Sequence, residues 1–537
     1  MKRPSTLFSA VLGAVTSLPV MAIAYLGQTV LNLPFPPFDI FDWIARVLPG
    51  GLVTFGIDSM VAVIRGLRLG QISDLAKTGE RMMAIAIFIV LSAFFGALLG
   101  WFVRRRHRRS LSWSLASGLA AALLILIVRA ALEKPGAGLA ASGLWLGALM
   151  LTWAYSMNYL LQVGPGAMQQ EPESPLTRRQ FLYLVGGGVV TIGLGSLAVS
   201  QLGRGASTSG GGTETPVTLP DLSKTSGPAA SPPVEILQGR PAPAPGTRPE
   251  LTATDDFYHV DINAVPPRVD AENWSLQLEG LVDNPMELTI DDIRSRPSFS
   301  QVITLSCISN PIGGDLISTA VWTGIRLKDL LAEAGIQGGA QEIAIQAVDG
   351  FYESVPLEEA MDDRTLLVYE MNGEPLPVAH GFPLRIYIPD HYGMKQPKWI
   401  ERMEVIDHQG AGYWVDRGWS ATAIVNTTSV VDTADTRAVD STDTSLPIGG
   451  IAYAGARGIS KVEVQIDDGD WIATELIRPP LSPLSWVLWR YDWPSMPGEH
   501  IVRVRAYDGN GQLQAVESRG VRPDGATGID QFNFSVS

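Results

Sequence analysis

At 537 residues the chain exceeds the roughly 100–200 residues of one ordinary domain, so several folding units are expected, and 46% hydrophobic residues leave room for a membrane-embedded one. The acidic excess behind the formal net charge of −14 lies after residue 204, which excludes a nucleic-acid surface there. A single cysteine, Cys307, excludes an intrachain disulfide framework and any iron-sulfur cluster held by several protein thiolates.

Four stretches are long and apolar enough to cross a bilayer: Leu7 to Val30, Met82 to Val103, Leu111 to Leu132 and Leu139 to Leu161. A fifth, Phe181 to Leu202, is glycine-rich but free of charge. Gly51 to Ile64 contains Asp58 and is too short to span, so it is read as interfacial or re-entrant. Five spans place Lys2, Arg3, the cluster Arg104, Arg105, Arg106, Arg108 and Arg109, and the pair Arg178-Arg179 on the cytoplasmic side of a bacterial-type membrane. The rest of the chain then lies outside the cell membrane, anchored to the lipid bilayer by a multi-pass helical bundle, residues 1–202.

Thr177-Arg178-Arg179-Gln180-Phe181-Leu182 resembles the twin-arginine motif of proteins exported already folded. Residues 203–250 are dominated by Gly, Ser, Thr, Pro and Ala, a composition that cannot bury enough apolar surface to offset ordering; a disordered tether is expected.

Residues 251–430 read as α+β. Trp274-Ser275-Leu276-Gln277-Leu278 alternates with strand period, and Leu327 to Ala334 is an amphipathic helix. Residues 431–537 read as all-β: Val462 to Ile466 and Ile501 to Arg505 alternate, bounded by the turns Asp467-Asp468-Gly469-Asp470 and Asp508-Gly509-Asn510-Gly511. An immunoglobulin-like sandwich is the expected outcome.

The chemistry centres on Thr304-Leu305-Ser306-Cys307-Ile308-Ser309-Asn310, where an apolar strand ends in a polar loop running on through Gly313-Gly314-Asp315. A lone cysteine is more often a small buried hydrophobe than a ligand. At a strand exit, though, its sulfur can face a cavity, and a soft thiolate there suits a soft or redox-active metal.

Three separated motifs carry a resemblance. The run Cys307-x-x-Asn310, then Trp322-x-Gly324, then Leu327-x-x-Leu330-Leu331 resembles the cofactor strand of the sulfite oxidase family. Tyr369 to Pro377 followed by His380-Gly381-Phe382-Pro383-Leu384-Arg385 resembles its second signature, and Gly393-Met394-Lys395 through Lys398-Trp399 a third. The resemblance covers roughly residues 251–537. It implies a molybdenum-molybdopterin cofactor with Cys307 as the protein's metal ligand. Pterin and phosphate contacts are implied for Asp349, His380, Arg385, Lys395 and Lys398, joined by Tyr258 and His259. Arg385 suits a phosphate as a planar fork and Lys398 as a point charge. The family's second domain often mediates pairing, which implies a homodimer.

Some positions depart from the sulfite-oxidising pattern. Pro311-Ile312 stands where those members have two arginines, the loop Phe257 to Asp261 has no arginine, and Trp419 falls where a tyrosine is expected. Such a pocket holds a dianion poorly, because desolvation is left uncompensated. His259 and Trp419 are therefore the candidate catalytic pocket residues beside Cys307, for oxo transfer on a small sulfur compound or other oxyanion. The rival readings are an S-oxide or N-oxide reductase resembling the methionine sulfoxide reductase catalytic subunit, and a cofactor-free binding or sensor protein. None of the six histidines falls in a predicted span, so no bis-histidine heme is expected, and electrons need an external carrier such as a cytochrome or membrane redox protein.

Overall fold

In the computed structural model the described residues are 5–49, 51, 52, 56, 59, 72–106, 111–132, 138–163, 239–434 and 445–536. The fifth predicted span, the Arg178-Arg179 motif and most of the 51–64 stretch lie outside them. The chain forms two units: residues 1–48, 76–215 and 261–268 make the first, and 49–75, 216–260 and 269–537 the second.

The described part of the first unit is helical: α1 (Thr6–Leu31), α2 (Pro36–Val47), α3 (Ile72–Arg106), α4 (Leu111–Leu132) and α5 (Leu139–Val163). All but α2 contain a stretch long and apolar enough to span a membrane, at Thr6–Leu31, Ala76–Phe102, Leu111–Leu132 and Leu139–Leu161, in line with the four strongest predicted spans. The α1 start is capped by Ser5, whose hydroxyl accepts the Phe8 N–H at 3.0 Å. Small residues four apart let the helices touch. A Cβ on Gly13 of α1 would sit 2.3 Å from Ser92 O of α3, and one on Gly96 would sit 2.5 Å from Ser9 O. Close backbone approach of this kind is how helices gain contact area in lipid, where the hydrophobic effect gives them no drive to associate. Residues 261–268 belong to this unit. Lys77 Nζ donates to the carbonyls of Asp261 and Asn263 at 2.8 and 3.2 Å, and Asp42 Oδ1 accepts the Ala264 N–H at 3.0 Å.

In the second unit, a five-stranded sheet runs in the order β2-β1-β10-β5-β6, formed by β1 (Leu276–Gly280), β2 (Met286–Leu288), β5 (Glu342–Ala347), β6 (Tyr352–Pro356) and β10 (Ile400–Ile406). Its β1–β10 pair is parallel and the other pairs are antiparallel. The predicted alternation holds, with Trp274, Leu276 and Leu278 buried. The predicted amphipathic helix is present as Leu327–Ala334, burying Leu327, Leu330, Leu331 and Ala334. Gly335 closes it in the left-handed region (φ 73°), its N–H reaching Leu331 O.

The second sheet comprises β3 (Phe299–Ser306), β4 (Ile317–Arg326), β7 (Leu366–Met371) and β8 (Glu374–Pro375) in that order, with β9 (Arg385–Tyr387) also on β7. At Gly324 of β4 a Cβ would lie 2.0 Å from Leu367 O, which explains the glycine of the Trp-x-Gly motif. Gly324→Ala is expected to cost at least about 1–3 kcal/mol, checked by thermal unfolding.

The C-terminal region is β-rich. One sheet orders β11 (Thr428–Thr433), β12 (Ser445–Tyr453), β16 (Val487–Pro494) and β15 (Glu475–Leu476), and the other β14 (Ile472–Ala473), β13 (Ile459–Ile466), β17 (Gly498–Asp508) and β18 (Asp530–Val536). One core draws Leu446, Ile448 and Trp489 from the first and Val462, Val464, Val502 and Val504 from the second. Part of the expected tether packs here as well: within 239–250, Arg248 pairs with Asp432 at 2.6 Å and Ala244 is buried. One charged pair links β17 to the turn after β13. His500 sends Nδ1 to Asp467 Oδ2 and Nε2 to Met496 O, both at 2.9 Å. Both partners are acceptors, so the imidazolium is favoured: the bond to Asp467 raises the His500 pKa, and His500 lowers that of Asp467. The histidine contributes stability below its unfolded pKa of about 6.5 and loses it as pH rises through the folded value. The aspartate contributes above about 3.9 and loses it as pH falls. His500→Asn is thus expected to lower the melting temperature most between about pH 4 and 6.5 and least in mild alkali.

Candidate functional site

The site grows from the end of β3. Thr304 to Ser306 are buried, and the strand's backbone then turns out through Cys307 into the 307–316 loop. Two bonds brace that loop: the Cys307 N–H donates to Leu316 O at 2.9 Å, and the Asn310 side chain accepts the Leu316 N–H at 3.0 Å. This gives Asn310 of the Cys-x-x-Asn motif a structural task. A Cβ on Gly314 would sit 2.2 Å from Asn310 Oδ1, so the glycine admits the brace. Cys307 is 9% exposed, and its Sγ lies 3.0 Å from Ser309 Oγ. Burial pushes the free thiol's pKa up, and the Ser309 hydroxyl partly opposes this.

Around the sulfur stand Tyr258 and Tyr392, both buried, both pushed up in pKa by burial and, to a lesser degree, by the Cys307 charge. A Cβ on Gly393 would meet Tyr258 Oη at 3.1 Å and Ser306 O at 3.6 Å, so the turn Gly393–Lys395 passes close to the base of the cysteine strand.

A chain of rings leads onward. Phe257 stacks on Tyr258 at 5.5 Å and meets His380 edge-on at 5.3 Å, and His380 meets His259 at 6.4 Å. Arg385, on β9, is buried with its guanidinium 4.8 Å from the Trp322 ring and donates to His380 O at 3.2 Å. Arg385 and Lys398 face each other across an antiparallel bridge. Gly381, at φ 111°, permits this: a Cβ there would lie 3.0 Å from Arg385 Cβ and 3.2 Å from Lys398 Cβ. Lys398 Nζ donates to Ala379 O at 3.0 Å and Val260 O at 3.3 Å. Asp349 sits in the β5–β6 turn, accepting the Phe351 N–H at 2.9 Å, and the neighbouring Val348 N–H bonds Trp399 O.

The structure thus brings together Cys307 with Tyr258, and His259, His380, Arg385 and Lys398 with one another. Lys395 is engaged elsewhere, its Nζ 2.8 Å from Glu353 Oε1 and 3.3 Å from Ser354 O, which leaves one of its three hydrogens for another group. Trp419 packs against an apolar cluster that includes Met394 and Ile308, the residue after the cysteine, with Trp414 at 6.3 Å. Its indole Nε1 is buried without a hydrogen-bond partner. Over its ring, 4.5 Å away, lies the guanidinium of Arg522, and Ser420 N–H donates to Pro523 O. Arg522 and Tyr392 join the site without a motif of their own. Arg522 is about a hundred residues beyond its partner and no local pattern marks it; the Tyr392 position beside the third motif was the one available signal.

A molybdenum-pterin group fits this donor set. Cys307 offers a single soft sulfur, and Arg385 and Lys398 offer cations for a phosphate. The indole Nε1 of Trp322, below Arg385, is buried without a partner. Among the described residues, no three His, Cys, Asp or Glu side chains converge to hold a metal, so Cys307 would be one ligand beside those a cofactor brings.

Comparison with known proteins agrees. The family model for the oxidoreductase molybdopterin binding domain matches residues 262–414. The chain is 32% identical over 171 residues to the uncharacterised oxidoreductase YuiH of Bacillus subtilis, covering 32% of this chain and 84% of that protein. It is 29% identical over 280 residues to the sulfite oxidase of Arabidopsis thaliana, covering 43% of this chain and 71% of that protein. To mitochondrial sulfite oxidase of Homo sapiens it is 28% identical over 324 residues, covering 51% of this chain and 59% of that enzyme. Shared sequence over most of a relative's length, together with a family model whose match at residues 262–414 includes Cys307, makes the assignment: this chain is an oxidoreductase with a molybdenum-molybdopterin cofactor and belongs to the sulfite oxidase family.

Proposed function

We propose that the protein is a membrane-anchored oxidoreductase that transfers an oxygen atom to or from a small sulfur compound of low charge, with Cys307 holding the molybdenum. The observation that carries this reading is the position of Cys307, buried at the end of β3 in a loop braced by Asn310 and flanked by Tyr258 and Tyr392. When bound, the cofactor supplies two-electron oxygen-atom transfer. The chain's own groups bind and orient. Arg385 and Lys398 hold the phosphate, Asp349 and His380 meet the pterin, and Lys395 lends its remaining hydrogen while fixing the 393–395 turn. Tyr258 and His259 close the near wall.

Substrate selectivity follows from charge. Trp419 and Arg522 form the outer wall, with a guanidinium against an aromatic ring. A cation stacked on indole suits a neutral S-oxide or a monoanion. This favours the reductase-like reading as the second candidate. The N-terminal apolar helices, four of them described, anchor the later residues outside the cell membrane. Residues 251–430 make the cofactor domain, and 431–537 an immunoglobulin-like domain that pairs two copies. An external cytochrome or membrane redox protein carries the electrons.

Steady-state assays of the detergent-extracted protein with sulfite, methionine sulfoxide and trimethylamine N-oxide, using artificial electron carriers, test the reading. Turnover of a sulfur substrate together with stoichiometric molybdenum supports it. Protein matured in a molybdenum-replete host that contains no molybdenum would instead favour a cofactor-free binding or sensor protein.

A further inference from the structure

The helical unit contains a cavity of about 230 Å³ that the oxidoreductase chemistry does not use. It is lined at one end of the bundle by the last turns of α1, the start of α2, Arg81 near the start of the apolar part of α3, the end of α4 and residues of the 263–268 segment. Three arginines, Arg81, Arg129 and Arg268, face one carboxylate, Asp39. Arg129 and Asp39 are paired at 3.6 Å and both are more than nine-tenths buried, so the cavity has a built polar floor. The pair neutralises itself, which leaves the other two guanidiniums as net positive charge.

Each of those two is held by one backbone bond. Arg81 Nε donates to Ala264 O at 3.2 Å, and Arg268 donates one terminal nitrogen to Thr29 O at 3.2 Å. Among the described residues neither forms an ion pair. A guanidinium pinned by one N–H presents its remaining donors in a fixed plane, the geometry that suits a tetrahedral oxyanion. Phe35, Phe38, Leu33 and Val265 give the lining an apolar part. The spans containing these residues end or begin here, so the cavity lies at the level where lipid headgroups meet hydrocarbon.

We propose that this cavity binds one phosphate-bearing anion, its phosphate on Arg81 and Arg268 and its glycerol or acyl portion on the aromatic wall; an anionic phospholipid headgroup is the source its position favours. Basic pockets between membrane helices take such headgroups for the same electrostatic reason.

The test is native mass spectrometry of the full-length, cofactor-loaded protein after detergent exchange, titrated with dioleoylphosphatidylglycerol, with dioleoylglycerol, which lacks phosphate, and with inorganic phosphate. The wild type is expected to retain phosphatidylglycerol, and Arg81→Gln/Arg268→Gln to bind it at least about tenfold more weakly. Arg81→Lys/Arg268→Lys should recover part of the binding and controls for folding, together with unchanged helical circular dichroism. Arginine-dependent binding of inorganic phosphate without lipid would support the phosphate site and name the free ion as its occupant. Equal phosphatidylglycerol binding by the glutamine variant, or retention of dioleoylglycerol as tight as that of phosphatidylglycerol, would overturn the proposal.

Discussion

Cys307→Ser is expected to abolish turnover while the protein stays folded. A serine hydroxyl is neither soft nor acidic enough to replace a thiolate on molybdenum. The loss should exceed about 100-fold in kcat, because removing even an outer partner of a metal ligand typically costs about 10- to 100-fold. The fold should tolerate the change. The 307–316 loop is held by the Cys307 N–H, the Asn310 side chain and Leu316, none of which involves the sulfur. A serine also keeps a hydrogen-bonding atom near Ser309 Oγ. The diagnostic measurements are kcat alongside X-ray absorption at the molybdenum edge, where the variant should lose one sulfur neighbour. Activity close to wild type would remove the cysteine from the metal.

The second large effect is on stability. Glu353 is 1% exposed and Lys395 7%, and the ammonium bonds both the carboxylate and Ser354 O. Burial pushes the Glu353 pKa up, and the nearby Lys395 charge pulls against it. Glu353→Leu strands a buried ammonium with one carbonyl, which is expected to cost about 3–5 kcal/mol. Glu353→Leu/Lys395→Met should recover most of that, because a buried ion pair can often be exchanged for apolar packing at little net cost. Thermal melts of the full-length single and double variants check this. A single variant that melts with the wild type would mean that the pair contributes nothing.

What could be read from the sequence followed the range of the interactions. Cys307, Asn310, His380 and Arg385 sit in short motifs; Asn310 braces the Cys307 loop, and Arg385 bonds His380 within a second group. The helix Leu327–Ala334 and the strands around Leu276, Val462 and Val502 also follow from local periodicity. What the sequence does not show is set by distant partners. Nothing near Lys395 in sequence announces Glu353, forty-two residues earlier. Nothing near Trp419 announces Arg522, about a hundred residues later. Residues 261–268 read as a continuation of the soluble part, whereas their backbone is taken up by Lys77, Arg81 and Asp42. The packed residues at 239–250 are likewise tied by side chains from elsewhere, such as Asp432, that composition alone does not reveal.

One stitch also bears on how the protein is made. Strand β3 is an outer strand of its sheet, and its open side is closed by the segment 482–486: Thr304 N–H donates to Leu484 O at 3.0 Å, and Trp486 N–H to Thr304 Oγ1 at 2.8 Å. Tyr453 Oη adds a bond to Thr304 O at 2.9 Å. An uncovered strand rim invites pairing with other chains. The platform that presents Cys307 is therefore finished only once the ribosome has passed residue 486, which sets an order of assembly in which cofactor insertion follows synthesis of the chain through that segment.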